Sequence, residues 1–88
     1  MTTVTVKLDT DAKDFRVAID NVRLVFGGQT TITKTLPKPG KHFLSWTVIG
    51  TGLSISVEIT APPTAVCKTG VKNTTESTTS GGTSFKTK

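Results

Sequence analysis

"KPGKHFLSWTVIGTGLSISVEIT", Lys38 to Thr60, decides the fold class. Its second half alternates, with Leu53, Ile55, Val57 and Ile59 on one side and Ser54, Ser56, Glu58 and Thr60 on the other. Successive side chains of a strand point to opposite faces, so this period of two reads as a strand with one dry and one wet face. The first half is different: Leu44, Trp46 and Val48 face one way while Phe43 and Ile49 face the other. Joined at "GTG" (Gly50 to Gly52), the two segments are expected to pair as a hairpin and to share one inner face. Phe43 and Ile49 are then left on the outer face, to be covered by the chain's own C-terminal segment or by another molecule.

The same period extends outward from this stretch. Val4, Val6 and Leu8 alternate with Thr3, Thr5 and Lys7. Phe15, Val17 and Ile19 form a second apolar face, and then the parity switches to Val22, Leu24 and Phe26. "DN" at Asp20 and Asn21 explains the switch either as a tight hairpin turn, because both residues tolerate positive φ, or as a bulge in one longer strand. "TTITKTL" places Ile32 and Leu36 inward, and "PKPG" (Pro37 to Gly40) is a turn. "APP" at Ala61 to Pro63 interrupts the sheet, since proline cannot donate to a ladder. Ala65 to Lys68 reads as a short strand. The fold class is all-β: a small antiparallel β-sandwich of about seven strands.

The segment "TLPKPGKHFLSWTVIGTG" resembles the late strands of immunoglobulin-like and fibronectin-like sandwiches, where a turn rich in proline and glycine feeds a central strand. It covers about a quarter of the chain. The paired cysteines of antibody domains are missing, so the resemblance implies an architecture and no functional residue.

Three regions follow from composition. Residues 1–68 carry the sandwich body. From 69 to 82 the sequence is Thr, Ser, Gly, Lys, Asn and one Glu, with Val71 as its one large apolar residue. Such a segment buries too little to offset its ordering entropy and reads as a flexible tether. Residues 83–88, "TSFKTK", recover a weak strand pattern around Phe85, which reads either as a terminal strand anchored in a sheet, closing the sandwich or joining two subunits, or as a frayed terminus.

The 88 residues suit one domain, and threonine makes up about a fifth of them, far above its usual share. Threonine is β-branched and suits the wet face of a sheet. Eleven Lys and Arg against six Asp and Glu give a net charge of +5. That sign favours anionic partners, but the lysines are scattered and form no run, which argues against nucleic acid. The aromatic residues Phe15, Phe26 and Trp46 fall on inward parities, leaving Phe43 alone to stack on a base or a sugar. The chain begins "MTTVTVKL" without a leader pattern, which reads as cytoplasmic, or as secreted had a leader been removed. No run of apolar residues is long enough for a membrane span.

The residues that carry chemistry are few. His42 and Cys67 are single representatives of their types. His42 beside a turn reads as an exposed side chain, and Cys67 as a small, partly buried one; neither lies in a catalytic motif. A structural zinc site needs about four ligands, which these two do not make. Asp9, Asp11 and Asp14 share one loop but lack the glycine and distal glutamate of a calcium loop, so they read as turn caps. "NTT" at Asn73 matches a glycosylation acceptor pattern that is short enough to arise by chance. No cofactor is implied.

These features together point to a non-enzymatic module acting by protein–protein contact or self-association, as a structural subunit or accessory domain. Phe43, Ile49 and Phe85 are the interface candidates. Recognition of glycans or other anionic surfaces is the alternative, and nucleic-acid binding the third.

Overall fold

In the computed structural model, which describes residues 2–87, alternation is realised as eight strands and one short 3₁₀ turn. They are β1 (Thr2–Thr10), β2 (Asp14–Ile19), β3 (Val22–Leu24), β4 (Thr31–Leu36), β5 (Gly40–Ile49), β6 (Ile55–Ala61), β7 (Cys67–Val71) and β8 (Thr78–Thr87), with the 3₁₀ turn at Pro63–Ala65. The first sheet has the order β4-β1-β6-β7 and the second β3-β2-β5-β8, and every pairing is antiparallel. Their inner faces close on one core, because each sheet is apolar on one side and must bury it against the other.

The core follows the parities of the sequence. Val4, Val6 and Leu8 from β1 meet Ile55, Val57 and Ile59 from β6. Val17 and Ile19 from β2, Leu24 from β3, and Leu44, Trp46 and Val48 from β5 fill the opposite side, all of them buried. Phe26 and Leu36 join this cluster, while Phe15 and Ile32 pack against it half-buried. Val22 departs from its expected inward set and is 52% exposed. It ends the turn into a three-residue strand at the sheet edge, where no neighbour covers it.

At Asp20 and Asn21 φ is 53° and 66°, and Ile19 sits opposite Val22. Two consecutive residues at positive φ make the tight turn whose twist matches paired strands, so "DN" is a hairpin and not a bulge. The expected pairing of β5 with β6 is not realised. β5 lies in the second sheet and β6 in the first, so their apolar faces oppose each other across the core. Gly50 (φ 126°) and Gly52 (φ 69°) let the "GTG" turn carry the chain between layers.

The largest departure lies between residues 69 and 82. β7 runs through Val71 and β8 begins at Thr78, leaving a short connection where a long tether was expected. β8 pairs with β5 along its whole length, from Gly40↔Thr87 to Ile49↔Thr78, without a register shift. Backbone pairing to a strand already fixed by its own core residues needs few apolar side chains, and composition therefore misreads this segment. The connection is itself pinned by buried Thr74. Its hydroxyl donates to the Gly50 carbonyl at 2.7 Å and accepts from Leu53 N at 3.2 Å, while its carbonyl accepts from Gly52 N at 2.7 Å.

Candidate interaction surface

β5 is the central strand of the second sheet, between β2 and β8. Its inward residues are spoken for by the core. Trp46 additionally donates its indole N–H to Thr69 Oγ1 at 3.0 Å, tying the two sheets together. Its outward residues are Lys41, Phe43, Ser45, Thr47 and Ile49, flanked on β8 by Lys86, Ser84, Gly82, Ser80 and Thr78. Thr47 and Ser80 join their hydroxyls at 3.1 Å. The result is a hydroxyl- and glycine-rich floor with an apolar residue towards each end: Phe43 is 50% exposed and Ile49 55%. Six residues of strand separate them by about 20 Å.

Two adjacent glycines of β8 shape this surface from opposite sides. A Cβ at Gly81 would lie 2.6 Å from Trp46 Cζ2, so Gly81 opens the inner face for the indole. A Cβ at Gly82 would lie 2.8 Å from Phe43 Cε2 and Cζ, so Gly82 lets the phenyl ring lie across β8 on the outer face. An aromatic ring laid over a strand glycine restores contact that the missing side chain forfeits. The chain's own C-terminal strand thus covers Phe43 in part, and half of the ring remains in solvent.

Phe85, the third interface candidate, is 5% exposed and belongs to the core cluster. It is stacked on His42, with ring centroids 5.5 Å apart, and so it closes its own sandwich. His42 is only 7% exposed, contrary to its expected place on the surface. Its Nδ1 lies 2.5 Å from Asp20 Oδ2 and its Nε2 2.9 Å from the Lys38 carbonyl. Each ring nitrogen thus faces an oxygen, one a carboxylate and the other a main-chain carbonyl. The other oxygen of Asp20 accepts from Phe43 N at 2.9 Å. Burial raises the Asp20 carboxyl, but the His42 hydrogen bond, the Phe43 N–H and the His42 charge together hold it below the ordinary carboxylate range. The knot joins the β2–β3 turn, the β4–β5 turn and Phe85. Nothing in the pattern around His42 announced it, because its partners are distant in sequence.

The remaining candidates do not converge. Both nitrogens of His42 are engaged, leaving none for Cys67, which lies half-buried on β7 opposite Ile59. Burial raises the Cys67 thiol and the Glu58 charge adds to this, outweighing the hydrogen bond with the Ile59 backbone. A thiol shifted that way is less ionised and less nucleophilic at neutral pH. Asp11 Oδ1 accepts from Ser54 N at 2.8 Å, holding the β1–β2 loop to the start of β6. Among the described residues no group of three or more His, Cys, Asp or Glu is arranged to hold a metal ion, and no helix is long and apolar enough to cross a membrane. A surface groove between Asp9–Asp11, Ser54–Ser56 and Lys68–Lys72 has no aromatic lining on which a sugar could stack.

A scan against protein-family models and searches of curated proteins and of solved structures return no match for this chain.

Proposed function

We propose that this chain is a non-enzymatic β-sandwich module that works by contact with protein, as a structural subunit or accessory domain of a larger assembly. The observation that carries the reading is the outer face of β5 and β8, where half-exposed Phe43 and Ile49 flank an uncharged floor beside a sheet edge to which no strand is paired. Half-exposed side chains of this size offer about 200 Å² between them. A stable interface takes about 800 Å² from each partner. The apolar ends therefore orient a partner, and the floor and the edge must supply most of the contact.

Replacing both Phe43 and Ile49 with Thr tests this reading. Thr keeps strand propensity and removes the apolar ends. The expected result is a folded variant, with a circular dichroism spectrum like the parent's, that no longer retains proteins captured by immobilised wild type in 0.5 M salt. At that salt, contacts resting on nucleic acid are strongly weakened, so retained partners are protein. Equal capture by the double variant would refute the assignment of this face.

A further inference from the structure

We propose that the free edge of β8 pairs with β8 of a second copy of this chain, antiparallel and two-fold symmetric about Gly82. This names the partner for the contact reading above and rests on it.

Two hydrogen bonds fix which groups of β8 are free. Phe43 O accepts from Asp20 N at 2.9 Å, so the main-chain groups of Phe43 turn toward β2. Gly50 N donates to Ser77 O at 2.8 Å, so those of Gly50 turn toward β8. Main-chain groups along an antiparallel strand alternate between its two neighbours. With the register of β5 on β8, the N–H and C=O groups of Thr78, Ser80, Gly82, Ser84 and Lys86 therefore point to the open edge. All of these residues are exposed. For Gly82, which has no side chain, that exposure is main chain itself.

The other edges of the two sheets are protected in ways that β8 is not. β3 has three residues and includes Arg23; β7 has five and includes Lys68; β4 has six with Lys34 inside it. Short length, a charge, a proline or a bulge are the usual guards of an edge. β8 has ten residues, no proline, an unbroken register, and a single charge at Lys86, next to its end.

The strand is complementary to itself. Centred on Gly82, antiparallel pairing sets Ser80 opposite Ser84 of the partner subunit and Thr78 opposite Lys86 of the partner subunit. The two Lys86 side chains fall at opposite ends, about 26 Å apart, which is beyond three Debye lengths at physiological salt. Each Phe43 ring lies across its own Gly82, and paired strands run about 4.8 Å apart. The two half-exposed rings consequently meet at the symmetry axis and cover each other.

Sedimentation equilibrium on the purified full chain tests the proposal. Wild type is expected to form a concentration-dependent dimer that tightens in higher salt, because the net charge of +5 on each copy is then screened. Ser84→Pro removes a free-edge N–H without touching the β5 ladder, and should raise the dimer Kd about tenfold or more at unchanged folding. Register is read without proline by oxidising two variants made in a Cys67→Ser background. Ser80→Cys mixed with Ser84→Cys should cross-link into a heterodimer, and either alone should cross-link far less. A wild type that stays monomeric to about 1 mM overturns the proposal, as does cross-linking with no preference for the mixed pair. If that monomer still captures other proteins in a Phe43- and Ile49-dependent way, self-pairing is wrong and the contact reading stands.

Discussion

Gly81→Ala separates an ordered β8 from a flexible tether by the sign of its effect. In a tether, adding a methyl group removes freedom from the unfolded chain and is neutral or stabilising by about 0.4–1 kcal/mol. In the sandwich the new Cβ lies 2.6 Å from Trp46 Cζ2, 3.0 Å from Cε2 and 3.3 Å from Cη2. The indole has little room to yield, being 4% exposed and held by Nε1 to Thr69 Oγ1 at 3.0 Å. Forcing an extra carbon into such a site costs about 1–3 kcal/mol. Losing the indole hydrogen bond to make room leaves a buried donor unpaired, at a similar cost. The clash outweighs the entropic gain, so Gly81→Ala should destabilise by about 1–2 kcal/mol. For a domain of this size each kcal/mol lowers Tm by about 4–8 °C. Thermal unfolding followed by far-ultraviolet circular dichroism gives the number. The fluorescence of Trp46, the one tryptophan of the chain, reports whether the indole shifts. A variant that melts at or above the wild-type Tm would refute the placement of Gly81 against the indole.

Two further perturbations probe the pins that hold β8 and its neighbours. Thr74→Val keeps the shape but removes the hydroxyl bonds to Gly50 O and Leu53 N; a loss of about 1–3 kcal/mol is expected, with faster amide hydrogen exchange at Leu53, and unchanged exchange would show that the turn does not depend on this side chain. Asp20→Asn tests the His42 knot through pH. The folded carboxyl lies below its unfolded value, so its contribution is present above the ordinary carboxylate range and fades as pH falls through and below that range. The Tm gap between wild type and Asp20→Asn should therefore narrow between about pH 5 and about pH 2, and a gap constant over that window would contradict the assignment.

What the sequence made legible was the part of the fold that depends on apolar parity. Val4, Val6 and Leu8, Leu44, Trp46 and Val48, and Ile55, Val57 and Ile59 all reach the core, because in a small sandwich burial alone selects the face of a strand. Partnership between strands was less legible. Period two is the same whether neighbouring segments pair in one sheet or face each other across two, and the β5–β6 crossover is decided by Gly50, Gly52 and a threonine far along the chain. His42 was misplaced for a related reason. Its burial comes from Asp20, Lys38 and Phe85, which only the assembled strands bring together.

The segment read as a tether is where composition and structure part most sharply, and the two glycines explain it. In sequence, "SGG" (Ser80 to Gly82) looks like a loss of packing. Opposite β5 it is the condition for packing, since Trp46 inside and Phe43 outside both need the volume that side chains at Gly81 and Gly82 would occupy. A strand that is apolar on both faces can thus be matched by a neighbour with almost no apolar residues, provided the neighbour is thin at the right positions. The opening asymmetry of Lys38–Thr60 follows from this. β6 carries hydroxyls and Glu58 outward and has no ring to seat on that side. β5 carries Phe43 outward because β8 offers Gly82 beneath it, and β8, made thin to receive both rings, keeps its main chain open at the edge.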